Sequence, residues 1–81
     1  MSIRVLFFAS ISDIVGMRKT SVDAADFKDV RSIFDKFAQA NPSLKAYSSS
    51  VLCALNSEFA RPDSPVRDGD EVAFFPPVSG G

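Results

Sequence analysis

The chain has 81 residues, of which 46% are hydrophobic, with nine basic and ten acidic side chains and no histidine. This length allows one domain, which we expect to span residues 1–81. The charges are balanced and form no basic stripe, so we expect no nucleic-acid partner, and the lack of histidine excludes serine–histidine and cysteine–histidine nucleophile pairs. The single cysteine, Cys53, cannot form an internal disulfide or a thiolate metal cluster, so we expect no metal site.

The hydrophobic residues are not gathered into a membrane segment. The longest apolar run covers residues 5–9 and breaks at Ser10, far short of the roughly 18 residues that a spanning helix needs. The run is also too short for the apolar region of a signal peptide. We therefore expect a soluble protein, unprocessed at its start and without membrane partners. A single cysteine is compatible with the reducing cytoplasm, where we expect the protein to act.

The first third of the chain predicts a strand, a short helix and a second strand. Residues 3–9 are rich in β-branched and aromatic side chains and contain no breaker. Ser10 resembles the start of a capping box and Gly16 favours a helix end, which together predict one or two helical turns. Residues 18–24 are polar, so we expect them to pair with the first strand at an edge of the sheet.

A stripe of apolar residues at helical spacing is the strongest pattern in the chain. Its members are Val30, Ile33, Phe34, Phe37 and Ala38. The spacing predicts an amphipathic helix with Asp29 as its N-cap and an end at Asn41-Pro42. We assign the stripe to the protein core rather than to a partner, because core packing is the usual role of such a face.

The second half of the chain predicts further strands of the same sheet. The expected segments are, in order, a polar connection at residues 45–50, a strand at 51–56 continued as a hairpin by residues 59–60, turns at 63–65 and 68–70, and a strand at 71–75. Pro76 and Pro77 end the last strand because proline cannot donate to a sheet ladder. Residues 76–81 are then expected to form an extended tail.

Strands on both sides of one long helix predict an α+β fold with the helix packed on one face of a mixed sheet. A parallel pairing of the first and last strands is consistent with this order. Because strand residues alternate between faces, some large side chains must point away from the helix. Those side chains and the start of the tail are our candidates for a partner-binding patch: Leu6, Phe8, Phe75, Pro76 and Pro77. A core with apolar residues on both faces is the alternative.

The C-terminal block is the most specific motif. Residues 68–81 read Asp-Gly-Asp-Glu-Val-Ala-Phe-Phe-Pro-Pro-Val-Ser-Gly-Gly. This block closely resembles the C-terminus of molybdopterin synthase small subunits, which are ubiquitin-like sulfur carriers of the β-grasp fold. Residues 5–9 and 52–56 are also similar to theirs, and the resemblance covers essentially the whole chain. It implies a β-grasp fold for this protein.

The resemblance also implies a chemical role for the end of the chain. In this family the carboxylate of the terminal glycine, here Gly81, is adenylated and then converted to a thiocarboxylate. The tail, here Val78, Ser79 and Gly80, carries it into the active site of a large subunit. Sulfur is donated there to cyclic pyranopterin monophosphate, and two transfers build the dithiolene of molybdopterin. Glycine has no Cβ, so such a tail can enter a narrow channel.

The partners follow from the same resemblance. They are the large subunit, in a heterotetramer of two small and two large subunits, and an adenylyltransferase similar to ubiquitin-activating enzymes. The adenylyltransferase uses ATP, and the small subunit itself holds no cofactor. On its own the chain is then not an enzyme, but the sulfur-donating subunit of a sulfurtransferase.

Other functions remain open from the residues alone. A thiamine-pathway sulfur carrier and a ubiquitin-like protein modifier share the terminal Gly-Gly, and an interaction domain with an inert tail is also compatible. Cys53 is a candidate persulfide carrier, although a mid-strand position favours a buried, inert thiol. Asp68 and Asp70 flank a glycine, a pattern that favours a turn over a metal site.

Overall fold

The computed structural model describes residues 1–77. The elements are β1 (Ser2–Phe7), α1 (Ala9–Val15), β2 (Lys19–Asp23), α2 (Val30–Ala40), β3 (Leu52–Leu55), β4 (Glu58–Ala60) and β5 (Glu71–Phe75), with 3₁₀ turns at Ala24–Asp26 and Pro42–Tyr47. The five strands form a sheet in the order β2-β1-β5-β3-β4. This architecture confirms the predicted α+β fold with a mixed sheet.

The pairing of β1 with β5 is parallel, and all other strand pairs are antiparallel. Parallel pairing of the first and last strands, and the edge position of β2, were both expected from the sequence and are confirmed. The register places Phe7 beside Phe74 and Leu6 beside Ala73. Because alternate residues of a strand point to opposite faces, this register decides which aromatic rings meet the helix.

Asp29 is the N-cap of helix α2, as predicted. The carboxylate of Asp29 accepts a hydrogen bond from the backbone N–H of Ser32 at 2.9 Å, and the Asp29 N–H donates to the Ser32 hydroxyl at 3.3 Å. This reciprocal capping box satisfies N–H groups that the first helical turn would otherwise leave unpaired. The helix ends at Asn41, before Pro42, again as expected.

One face of the sheet packs on α2 and forms the core. Phe34 lies edge-on to Phe74, with ring centroids 5.5 Å apart, and Phe37 lies edge-on to Phe7 at 4.9 Å. The buried residues of this cluster are Ile3, Val5, Phe7, Ile11, Val22, Val30, Ile33, Phe34, Ala38, Leu44, Cys53, Val72 and Phe74. The helical stripe therefore belongs to the core, as the spacing indicated.

The start of α1 differs from the prediction. The helix begins at Ala9, with Phe8 at the N-cap position, and no side chain caps it. The N–H of Phe8 still donates to the carbonyl of Phe74 at 3.1 Å, so the pairing of β1 with β5 fixes where the chain turns. Ser10 is thus already inside the helix, and its hydroxyl contacts that of Tyr47 at 3.1 Å. Gly16 ends the helix in the left-handed region, as predicted (φ 83°).

Two connections are more ordered than the sequence suggested. The polar connection expected at residues 45–50 overlaps a 3₁₀ turn, Pro42–Tyr47, which inserts Leu44 into the core. The hairpin turn between β3 and β4 consists of Asn56 and Ser57 alone. Both have positive φ, 53° and 73°, as a type I′ turn requires.

Candidate functional site

The face of the sheet that α2 does not cover is largely apolar, and we call it the helix-free face. Its apolar members are Leu6, Phe8, Leu52, Ala54, Phe59, Ala73 and Phe75. The strand register brings them together, since Ala54 lies between Ala73 on β5 and Phe59 on β4. Four strands thus contribute to one apolar surface.

Two stacked rings form the centre of this surface. The rings of Phe8 and Phe75 are nearly parallel, at 8°, with centroids 4.6 Å apart. Phe8 remains 40% exposed and Phe75 is half-buried, whereas the neighbouring Phe74 on the core face is 0% exposed. Grouped, exposed aromatic rings mark interfaces more often than scattered ones do.

The rings of this face border two grooves. One groove, of about 210 Å³, lies between Phe59 and Ser57 on one side and Leu6 and Phe75 on the other. Ala54 and Ala73 lie beneath it. A second groove of about 510 Å³ lies towards the end of β5, where Pro76 and Pro77 join Phe8 and Phe59 in its lining. The apolar surface therefore continues from the middle of the sheet to the point where the described chain ends.

The opposite end of the same face is polar. The Arg4 guanidinium pairs with the Glu71 carboxylate at 3.1 Å, across the parallel strands β1 and β5. Lys19, on the edge strand β2, lies beside Leu6 and marks a second polar border of the apolar surface. The apolar surface is therefore bounded by charged side chains at one end and at the β2 edge, and it extends towards β3, β4 and Pro77.

The structure brings together all five predicted docking residues for which it gives a position. Leu6, Phe8 and Phe75 share the helix-free face, and Pro76 and Pro77 extend it. Their role in docking stays a prediction. The other predicted site residues, Val78, Ser79, Gly80 and Gly81, lie outside the described residues.

Sequence reasoning missed the two large, exposed members of this surface on β3 and β4. Phe59 is 81% exposed, and Leu52 is 36% exposed. The sequence had placed Phe59 only as the continuation of a hairpin. Its signal was present in the two-residue turn at Asn56-Ser57, because that turn fixes Phe59 opposite Ala54 and so on the helix-free face.

Cys53 points to the other face of the sheet. It lies opposite Phe74 and is 4% exposed. Burial raises the pKa of the Cys53 thiol, and the positive charge of Arg31 offsets only part of this rise. A thiol with a raised pKa stays protonated at neutral pH and is a poor nucleophile, so the inert role is the better interpretation.

The acidic residues at 68–70 form a turn, as predicted. Gly69 adopts φ 88°, which favours glycine, and the Asp70 carboxylate accepts hydrogen bonds from the Arg67 N–H and the Asn56 side-chain amide. Within residues 1–77, no three histidine, cysteine, aspartate or glutamate side chains lie close enough to hold a metal ion. None of the helices described in that range is long and apolar enough to cross a membrane.

Comparison with known proteins identifies the family. The model of the ThiS family matches residues 5–81. The chain belongs to the ThiS family. A relative in Escherichia coli strain K12, named molybdopterin synthase sulfur carrier subunit, is 43% identical over 81 residues, covering 98% of this chain and 99% of the relative. A protein of the same name in Chlamydomonas reinhardtii is 34% identical, with 100% of both chains covered. The resemblance seen in the sequence is thus confirmed.

Solved structures of similar proteins have the same fold as this chain. The small archaeal modifier protein SAMP1 of Haloferax volcanii superimposes with a TM-score of 0.80 at 29% identity, covering 100% of both chains. A chain of the protein–protein complex of subunits 1 and 2 of the molybdopterin-converting factor of Helicobacter pylori 26695 matches with a TM-score of 0.65 at 24% identity, over 100% of both chains. These likenesses confirm the predicted ubiquitin-like β-grasp fold.

Proposed function

We propose that this protein carries sulfur for the synthesis of molybdopterin and donates it from a thiocarboxylate at Gly81. Relatives named molybdopterin synthase sulfur carrier subunit match the chain over nearly its whole length, and the family match extends through residue 81. The observation that supports the proposal is the helix-free face, an apolar surface that continues to Pro76 and Pro77 at the end of the described chain. A carrier needs such a surface to hold its tail in a partner's active site.

The first step is activation of the Gly81 carboxylate. A carboxylate is a poor electrophile because it is anionic and lacks a good leaving group. A partner adenylyltransferase uses ATP to form the acyl-adenylate and releases pyrophosphate. A sulfur donor then displaces AMP, and the product is the Gly81 thiocarboxylate. This chain contributes the carboxylate and binds no cofactor itself.

The second step is transfer within a large subunit, in a heterotetramer of two small and two large subunits. The thiocarboxylate sulfur forms a C–S bond to a carbon of cyclic pyranopterin monophosphate as a C–O bond of that carbon breaks and its oxygen leaves. Water then hydrolyses the resulting thioester, which leaves the sulfur on the pterin and returns Gly81 to a carboxylate. Two such transfers supply the two sulfurs of the dithiolene. The Helicobacter pylori neighbour was solved as a complex of subunits 1 and 2, the kind of assembly that we propose here.

The remaining chemistry belongs to the partner. The chain has no histidine, and its single thiol is buried on the core face. The commonest general base is therefore missing from this chain, and we propose that the general bases and the pterin-binding side chains come from the large subunit and that the small subunit alone is not an enzyme. We also propose that the reaction takes place in the cytoplasm, where a single free cysteine is stable.

The test is reconstitution with the adenylyltransferase, ATP, a sulfur source and the large subunit. The mass of the parent should rise by the difference between sulfur and oxygen, and molybdopterin should form. Deleting Gly81 shortens the reach of the tail by about 3.3–3.6 Å, and a misplacement of only 1 Å can cost about 10²-fold in rate. We expect this variant to melt like the parent and to yield essentially no molybdopterin.

Adding one alanine after Gly81 is the complementary variant, because it lengthens the tail where the deletion shortens it. It lengthens the tail but places the Gly81 carbonyl in an amide, which the adenylyltransferase cannot activate. This variant should also melt like the parent and fail. Parental yield from either variant, verified intact by mass, would refute the thiocarboxylate mechanism.

A second candidate is a ubiquitin-like modifier joined to lysines through Gly81. The likeness to the archaeal modifier protein, at 29% identity, favours it. Both functions begin with adenylation, so the discriminating observation is the fate of the activated chain. Lysine-linked conjugates without molybdopterin would favour the modifier, and molybdopterin without conjugates favours the sulfur carrier.

A further inference from the structure

The hairpin that carries Phe59 is tied to the start of β5 through one side chain. The Asn56 amide donates to Oδ1 of Asp70 at 3.0 Å and accepts from the Glu71 N–H at 2.9 Å. The Asn56 backbone N–H also donates to the Glu71 carbonyl at 2.8 Å. Both polar atoms of the Asn56 side chain are thus engaged by residues about 15 positions further along the chain.

Asp70 is held in turn by its own loop. Its second carboxylate oxygen accepts from the Arg67 N–H at 2.9 Å, and its carbonyl accepts from the Arg4 N–H at 3.0 Å. Asp70 is therefore fixed both to the turn before β5 and to β1. The hydrogen bond from Asn56 to Asp70 therefore connects the β3–β4 turn to both of these segments.

The element that depends on this link is β4. It has only three residues, lies at the edge of the sheet and pairs with β3 alone. Phe59 lies in its middle, highly exposed, and has little packing of its own to hold it in place. The position of the Phe59 ring over the 210 Å³ groove is therefore set by the hairpin turn, in which Ser57 also lines that groove.

We infer that Asn56 and Asp70 form a positioning pair, which holds the β3–β4 hairpin so that Phe59 presents its ring to the large subunit. The inference rests on the proposed function, because the docking that it supports is that of the sulfur carrier. Asn56 is suited to the place for a second reason. Asparagine and aspartate tolerate the left-handed conformation that this turn position requires.

The hydrogen-bond pattern permits a swap experiment. Asn56→Asp still tolerates the left-handed conformation and still accepts from the Glu71 N–H. It places two negatively charged carboxylates, at positions 56 and 70, next to each other. Asp70→Asn leaves two amide groups whose donors face each other. The double variant Asn56→Asp, Asp70→Asn restores every bond, because an amide at position 70 donates to a carboxylate at position 56 and still accepts from Arg67.

We expect each single variant to bind the large subunit about three- to tenfold more weakly, the effect of one net hydrogen bond. The swapped double variant should bind like the parent. Asp23→Asn is the control for Asp70→Asn, because it removes the same charge from a carboxylate that caps a turn elsewhere, and it should leave binding unchanged. If Asn56→Asp does not fold, the comparison of Asp70→Asn with the double variant decides the matter. A double variant no better than Asp70→Asn overturns the inference.

A second measurement separates positioning from a general loss of stability. Asn56→Asp should lower the melting temperature equally with and without Phe59, but in the Phe59→Ala background it should cause no further loss of binding. In sulfur transfer, Asn56→Asp should raise the KM for the carrier and leave kcat unchanged. Equal losses of binding with and without Phe59 would overturn the inference. A parent chain that neither binds the large subunit nor forms molybdopterin would instead refute the proposed function.

Discussion

Phe74 and Phe75 are neighbours in one strand, yet they lie in opposite environments. Phe74 is 0% exposed and packs edge-on against Phe34, whereas Phe75 is half-buried and stacks on Phe8. Within residues 1–77, both faces of the sheet carry large apolar side chains, but α2 covers only one of them. The comparison teaches that the number of covering helices, not the hydrophobicity of a strand, decides which apolar face becomes core.

The aromatic rings of the two faces also differ in the process that removes them from water, which is folding for one face and binding for the other. On the core face, the apolar area is removed from water when the chain folds. On the helix-free face, the stack of Phe8 on Phe75 hides part of each ring and leaves the rest in solvent. Removal of that remaining area from water is then available as binding free energy when a partner docks.

The largest expected loss of stability on the core face is that of Phe34→Ala. Phe34 is 4% exposed and contacts the ring of Phe74. We expect a loss of about 3–5 kcal/mol in the free energy of unfolding, and a fall in melting temperature of more than about 12 °C for a domain of this size. Thermal and urea unfolding measure the effect. A melting curve like that of the parent would contradict the packing of α2 on the sheet.

The matched test of the helix-free face is Phe75→Ala. We expect binding to the large subunit to weaken by about 2 kcal/mol or more, the size of a hot-spot effect. The lost stack with Phe8 should cost at most about 1.5 kcal/mol of stability. Titration calorimetry and a melting curve measure the two quantities. A large fall in melting temperature with unchanged binding would place Phe75 in the core.

A smaller effect is expected at the start of α2. Asp29→Ala removes the carboxylate that accepts from the Ser32 N–H, and loss of such a cap costs about 1 kcal/mol. Asp35→Ala makes the same change at an exposed position inside the same helix and is the control. If only the core face depends on α2, Asp29→Ala should lower stability but leave large-subunit affinity unchanged in the folded protein. Equal stability of the two variants would argue against the capping box.

The smallest effect concerns the thiol on the core face. Because burial raises the pKa of Cys53, the folded state holds its proton more tightly than the unfolded state does. The resulting stabilisation is complete below the thiol pKa of the unfolded chain, about 8.5, and is lost as the pH rises through the higher pKa of the folded chain. Urea unfolding from pH 7 to 10 should show a steeper decline for the parent than for Cys53→Ala. Parallel declines would contradict the raised pKa.

The parts of the fold that the sequence predicted are those governed by local periodicity. The stripe from Val30 to Ala38 and the Asp29 cap depend on residues within one helix, and both were predictable. The alternation in β1 and β5 likewise separated Phe74 from Phe75 and placed Leu6 and Phe8 together. These patterns were enough to locate most of the candidate docking surface.

The features that the sequence did not predict depend on contacts between residues that are far apart in the chain. Ser10 could not be excluded as a cap from its neighbours, because the pairing of Phe8 with the carbonyl of Phe74 decides where β1 ends. The burial of Leu44 depends on the space beside α2, which no local pattern describes. Phe59 joins the docking surface only through the register of β4 with β3.

The central place of β5 has a consequence for how the protein is made. Although β5 follows all the other described strands in the chain, it lies between β1 and β3. Until residues 71–75 leave the ribosome, the β1–β2 and β3–β4 pairs remain separate, and two-stranded units are marginal in water. The strand that completes the sheet also bears Phe75 and leads into the tail. A chain truncated before residue 71 thus lacks both the completed sheet and the part of the helix-free face centred on Phe75.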